Sequence, residues 1–141
     1  MYDDTYFINE ALKEAKKSLA EGGIPIGAVL VKDGKIIARA HNLKETRQDT
    51  INHAEILAIK KASKKLNSWR LTDCEMYVTL EPCSMCAGAL IQSRIKKVYI
   101  GAMDYKTGAC GSILNLLEDY PCNHRAVSYT HLRAHETRRH L

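Results

Sequence analysis

The sequence predicts an α/β fold, a mixed sheet covered by helices, and three observations predict it. Helical and strand-like patterns alternate along the chain. A tight Asp33-Gly34 turn joins two strand-like runs as a hairpin. The hairpin is followed by helix, strand, helix and strand in turn, an order that implies a mixed sheet with helices packed on it. At 141 residues the chain is about one domain long and can bury a sufficient core without staples.

Each element has a local cause. Asp3 or Asp4 can cap a helix carrying Phe7, Ala11, Ala15 and Leu19 near helical spacing, and Gly22-Gly23 stops it. Residues 24–31 are an apolar run of strand length, and Asp33-Gly34 turns the chain into a second strand over 35–40. Residues 42–52 are polar and read as a loop. Residues 53–66 read as a helix with Leu57, Ala58 and Ala62 on one face and Lys60, Lys61, Lys64 and Lys65 on a solvated one. A strand over 75–80, a stop at Pro82, a helix over 83–93 and a strand over 97–101 follow. Residues 108–111 form a turn-rich loop and 112–117 a short helix. There are no internal repeats and no low-complexity segment.

Composition narrows the classes. There is no long apolar run to cross a membrane, and the acidic, polar start Met1-Tyr2-Asp3-Asp4 is not that of a signal peptide. Five cysteines, an odd number, argue against a disulfide framework and for a reducing cytoplasm. A formal charge of +5 is compatible with a nucleic-acid partner without demanding one.

Two short motifs carry the chemistry: His53-Ala54-Glu55 and Pro82-Cys83-Ser84-Met85-Cys86. Taken singly, the first is a polar helix start and the second half of a zinc ribbon or a redox dithiol. A ribbon needs a second pair, however, and Cys74, Cys110 and Cys122 stand alone. Together the motifs supply His53, Cys83 and Cys86 as three zinc ligands, leaving the fourth tetrahedral position for water, as catalytic sites do. Glu55 is the unligated acid/base such a water needs. Helix N-termini favour the Cys83 and Cys86 thiolates, which face the same side at a spacing of three. Glu55 can take the water's proton, pass it to a ring nitrogen, and return a proton to an exocyclic amine that leaves as ammonia. This H-x-E…P-C-x-x-C order is the signature of zinc-dependent nucleobase deaminases.

The resemblance is wider than the zinc motifs. Residues 1–125 resemble the bacterial tRNA-specific adenosine deaminases, the TadA family within the cytidine/deoxycytidylate deaminase superfamily. The matching stretches include Pro25-Ile26-Gly27-Ala28-Val29, His41-Asn42, Trp69-Arg70-Leu71, Leu80-Glu81-Pro82-Cys83, Gly101-Ala102-Met103-Asp104-Tyr105-Lys106-Thr107-Gly108 and Asn123-His124-Arg125. The resemblance implies a three-layer α/β/α cytidine-deaminase-like fold with a central mixed sheet. It implies conversion of the anticodon wobble adenosine to inosine by a cytoplasmic homodimer with one Zn2+ per subunit. Glu55 would then be catalytic, and Asn42, Ala54, Asp104 and Lys106 would bind the substrate, the last two at nucleotides flanking the target. Asn42 can both donate to and accept from a purine edge. Arg94, Lys96 and Lys97 could touch tRNA backbone. Two other readings stay open: a deaminase of free guanine or cytosine, and a non-catalytic zinc or RNA-binding module, against which Glu55 and the open ligand position argue.

After Arg125 the resemblance stops. Residues 126–141 read as a non-native tail in place of the family's last strand and helix, leaving a C-terminally truncated deaminase domain over 1–125. Residues 127–137 match one translated frame of a transposase-type sequencing-library adapter. A genomic reading frame continuing unbroken to a stop after Leu141 would refute that. The competing reading makes His131, His135 and His140 a second metal site or an RNA-binding tail. Without the tail, three Arg against Glu136, the formal charge falls to +3. The sequence therefore predicts a bare sheet edge, a melting temperature below that of a full-length relative, and weaker tRNA binding.

Overall fold

A computed structural model of the chain describes residues 2–43, 48–119 and 127–129. Helix α1 (Asp4–Ala20) begins where Asp3 accepts the Tyr6 N–H at 3.0 Å and ends just before Gly22, whose φ is +82°. Strands β1 (Gly27–Lys32) and β2 (Lys35–His41) pair antiparallel across Asp33-Gly34. The φ values of these two residues, +52° and +75°, are the left-handed pair that a two-residue hairpin loop requires. Helix α2 (Ala54–Leu66), strand β3 (Cys74–Leu80), helix α3 (Ser84–Gln92), strand β4 (Lys97–Ala102), the single-turn helix α4 (Leu116–Asp119) and strand β5 (Val127–Tyr129) complete the order.

The sheet runs β2-β1-β3-β4-β5, with β1 antiparallel to both neighbours and β3, β4 and β5 mutually parallel. Side-chain alternation divides its two faces. On one face Phe7, Ile8 and Ala11 of α1 pack with Val29, Val31, Tyr77 and Tyr99. On the other, Ala54, Ala58 and Ala62 of α2 and Ala87 and Leu90 of α3 pack with Leu30, Met76, Val78, Val98 and Ile100. The expected α/β/α layering is therefore realised. Because β1 is covered on both faces, its residues are buried continuously from Gly27 to Val31, which is why it reads as an unbroken apolar run. The small residues of α2 suit close packing on the strands, and α1 approaches β1 closely at Gly27. A Cβ on Gly27 would fall 2.1 Å from the Ala11 carbonyl oxygen and 2.4 Å from the Ala15 nitrogen.

Three boundaries depart from the sequence reading. Residues 24–26 are not strand: Ile26 N–H turns back to the Ile24 carbonyl at 2.9 Å, and Ile24 is exposed. The short helix placed at 112–117 starts only at Leu116, because Ser112 is drawn away to Glu81 and Ile113 and Leu114 donate back to Gly108. The sheet edge expected to be bare carries β5, whose Val127–Tyr129 pair in parallel with Lys97 to Tyr99. A C-terminal helix, Asn123-His124-Arg125, Cys122 and the tail histidines lie outside the described residues. Cys74 and Cys110 are buried, as small apolar residues would be, and Lys60, Lys61, Lys64 and Lys65 are exposed along α2. Among the described residues, no helix is long and apolar enough to cross a membrane.

Candidate metal centre and active site

Two helix starts meet beside the sheet and build the centre. His53 is the N-cap of α2 and Cys83 the N-cap of α3, both in extended conformation and neither making a side-chain cap bond. Their side chains are thus available to point away from the helices. Cys86 sits in the first turn of α3 and is fully buried. The three ligand atoms lie within 4.8 Å of one another, with His53 Nδ1 3.7 Å from Cys83 Sγ and 3.5 Å from Cys86 Sγ. A tetrahedral zinc with Zn–S of about 2.3 Å and Zn–N of about 2.05 Å has an N···S edge of about 3.6 Å. Both N···S distances match that edge, and the donor set of one imidazole and two thiols suits zinc.

The electrostatics suit that ligand set. The hydrogen bond from Cys86 is the largest influence holding the Cys83 thiol down to about 5, with backbone N–H groups and His53 adding to it. The same bond, with burial, pushes Cys86 up. Metal ligation requires thiolates, so binding releases any thiol proton. Glu55, in the first turn of α2, is 4 % exposed. Burial raises its carboxyl to about 7, with Cys83 adding to the effect and its own backbone N–H and the Cys86 side chain opposing it. A carboxyl poised near neutrality can both take and give a proton.

The remaining sequence candidates sit at the end of β2, the start of α2 and the turn after β4. Asn42 is buried at the end of β2, its N–H bonded to the Ile26 carbonyl at 3.0 Å and its carbonyl accepting the buried Ser18 hydroxyl at 2.8 Å. Ala54 is fully buried beside His53 and Glu55. Asp104 and Lys106 lie on the turn after β4. Asp104 Oδ1 accepts the Lys106 and Thr107 N–H groups at 3.0 and 3.2 Å, and Oδ2 accepts the Thr107 hydroxyl at 2.8 Å. Burial acts against its charge, but these bonds hold its carboxyl below the ordinary value. Lys106 is exposed, and so is Tyr105 between them, at 75 %. Lys97 is committed to Glu75 at 3.8 Å.

Sequence reasoning gave no role to two residues here. Tyr105 was visible as an aromatic in a polar turn, but its exposure was not. Glu81 was legible only as part of the Leu80-Glu81-Pro82-Cys83 run. In the fold it is a buried carboxylate gathering donors from three residues that follow β4, Asp104, Cys110 and Ser112.

Comparison with known proteins agrees with this site. The family described as the cytidine and deoxycytidylate deaminase zinc-binding region matches residues 1–102. The tRNA-specific adenosine deaminase of Bacillus subtilis (strain 168) is 55 % identical over 126 residues, 89 % of this chain and 78 % of that protein. The chain belongs to the tRNA-specific adenosine deaminase family. The Aquifex aeolicus (strain VF5) member is 50 % identical over 120 residues, 85 % of this deaminase and 80 % of its own length. A solved structure from work on A-to-I editing by tRNA:A34 deaminases superposes on this deaminase with a TM-score of 0.85 at 42 % identity. It is matched over 97 % of its chain and 89 % of this one. A guanine deaminase structure from Bacillus subtilis is similar at a TM-score of 0.71 and 33 % identity, over 99 % of this deaminase and 96 % of that chain.

Proposed function

We propose that this deaminase converts adenosine to inosine at the wobble position of a tRNA anticodon. The observation that carries the chemistry is the open set of three zinc ligands with the buried Glu55 carboxyl against it. The high identity to tRNA-specific adenosine deaminases supports the choice of substrate. His53 Nδ1 and the Cys83 and Cys86 sulfurs would hold the metal. Zinc bound there supplies acidity, lowering the pKa of water at its open position to about 7. Glu55 accepts the proton that water gives up and delivers it to the adenine ring nitrogen next to C6, so that C6 takes the hydroxide. Glu55 then carries the hydroxyl's proton to the exocyclic amine. The C6–N bond breaks, ammonia leaves, and C6 is left as the carbonyl of inosine.

The substrate contacts follow from what each group offers. The Asn42 amide can donate to and accept from a flipped-out purine, and Ala54 can reach a base only through its main chain. Lys106 meets a phosphate, and Asp104 accepts a ribose 2′-OH. Tyr105 offers an exposed ring on which a flanking base of the anticodon arm can stack. The protein is read as a cytoplasmic homodimer, supported by the exposed apolar side chains Met85, Ile113 and Leu114 around α3 and α4. The deaminase domain is taken as residues 1–125 and the remainder as a non-native tail, of which residues 127–129 pair with the β4 edge.

A second reading, deamination of a free base, is favoured by the likeness to guanine deaminase. Zinc-loaded protein offered a wobble-adenosine anticodon stem-loop, free guanine and free cytosine separates them. Inosine in the stem-loop is the expected product. Turnover of a free base with an untouched stem-loop would overturn the tRNA reading.

A further inference from the structure

One buried acid is spent on neither metal nor proton transfer. Glu81 stands between the end of β3 and the Pro82-Cys83 turn, two residues before a zinc ligand, and is 3 % exposed. Its own N–H is tied to the Ala102 carbonyl at 2.8 Å, so the start of its side chain is held at the end of the β3–β4 pair. The carboxylate then takes four donors from the loop that follows β4. Oε1 accepts the Asp104 N–H at 3.0 Å and the Ser112 hydroxyl; Oε2 accepts the Cys110 and Ser112 N–H groups, each at 2.9 Å. The loop closes over it without slack. A Cβ on Gly108 would fall 2.3 Å from Glu81 Cδ and 2.4 Å from the Asp104 carbonyl oxygen. A parallel tie runs beside it, Ala109 N–H to the Pro82 carbonyl at 2.9 Å.

From this geometry we infer that Glu81 is a positioning residue for substrate: it registers the 104–112 loop, with Asp104, Tyr105 and Lys106, against the turn that carries Cys83. The inference rests on the reading of that loop as a contact to the nucleotides flanking the target. A buried acid that only neutralised a charge would sit beside a cation. This one instead gathers three main-chain N–H groups and a hydroxyl from both ends of one loop. A group that accepts at both oxygens has no neutral substitute here. In Glu81→Gln, either orientation of the amide turns its NH2 toward an N–H: Asp104 on one side, Cys110 and Ser112 on the other. The buried donors left without an acceptor would push the loop outward. The zinc ligands, held by helix starts and not by this carboxylate, should stay in place.

The test combines hydrogen exchange with kinetics on zinc-loaded full-length protein. In Glu81→Gln the Asp104, Cys110 and Ser112 amides should lose protection while those of β3 and the zinc content stay as in wild type. KM for the anticodon stem-loop should rise ~10-fold or more with kcat changing less, the pattern of lost substrate binding. Combined with Lys106→Ala, the KM effects should be less than multiplicative, because the two changes remove one contact. Ser112→Ala, which deletes one donor and leaves the carboxylate, should shift KM and loop exchange in the same direction by less, and serves if Glu81→Gln does not fold. Unchanged protection in the loop, or KM effects that multiply fully, would overturn the inference. A wild type inert on the stem-loop would overturn the proposed function instead, since the exchange readout needs no substrate.

Discussion

At the scale of the residue, Glu55 decides between catalysis and mere metal binding. It is not among the three ligands, it is buried, and burial raises its carboxyl to about 7. Glu55→Ala should retain one zinc per chain by elemental analysis and lose turnover by about 100- to 10,000-fold, the usual worth of a positioned acid/base. Near-normal turnover in the zinc-loaded variant would remove Glu55 from the mechanism. Tyr105 allows a subtler check. Tyr105→Ala should weaken stem-loop binding while Tyr105→Phe should not, because stacking needs the ring and not the hydroxyl. Binding measured on both variants by fluorescence anisotropy would tell, and equal losses would argue against stacking. These two residues differ in how visible they were. Glu55 announced itself by standing beside His53 and ahead of the Cys83…Cys86 pair. Tyr105 is one exposed ring among seven tyrosines, and exposure is a property of the fold.

At the scale of the element, α1 is bound to the hairpin by close packing and by charge. Gly27→Ala would drive a methyl group into the Ala11–Ala15 backbone of α1, so we expect a loss of about 1–3 kcal/mol in urea unfolding, typical of overpacking. The charges sit at the other edge of the same contact. Arg39 of β2 bridges Glu10 at 2.7 Å and Glu14 at 3.3 Å, and Lys13 and Lys17 add to the two acids. The Arg39 and Lys13 bonds hold Glu10 below the usual carboxylate range. Burial opposes the charge on Glu14, but Lys17, His41 and Arg39 together keep it low as well. A depressed acid stabilises the fold above its unfolded value, near 4.5, and that stability is lost as pH falls through the lower folded value. Arg39→Met should therefore cost about 1–3 kcal/mol at pH 7 and progressively less below pH 4.5. A pH-independent difference would mean Arg39 acts by packing alone. The capping and turn residues of these elements, Asp3 and Asp33-Gly34, were readable because their causes are local. The 112–117 segment was misread because a distant carboxylate, Glu81, competes with the helix for its backbone.

At the scale of the whole molecule, the open question is assembly. Ile113 is 58 % and Leu114 49 % exposed, and Met85, on the helix that carries Cys86, is 37 % exposed. A homodimer that uses this surface would cover them. Sedimentation of the zinc-loaded protein should give twice the chain mass of 15.9 kDa, and Leu114→Asp should shift it toward monomer with zinc retained. A monomeric wild type would overturn the homodimer, and a Leu114→Asp variant that stays dimeric would place the pairing surface elsewhere.

By itself the sequence determined the alternation of helix and strand, the hairpin, and which three residues are candidate metal ligands with a candidate acid/base beside them. Each of these is written in near neighbours or in a motif whose spacing is the chemistry. What only the tertiary structure decided is how distant segments meet. It brought His53 Nδ1 to 3.5 and 3.7 Å from two sulfurs some thirty positions along the chain. It also buried Glu55 and turned Glu81 from one letter of a motif into the anchor of a loop. Burial and long-range hydrogen bonds depend on which surfaces the sheet brings face to face, and no local pattern encodes that.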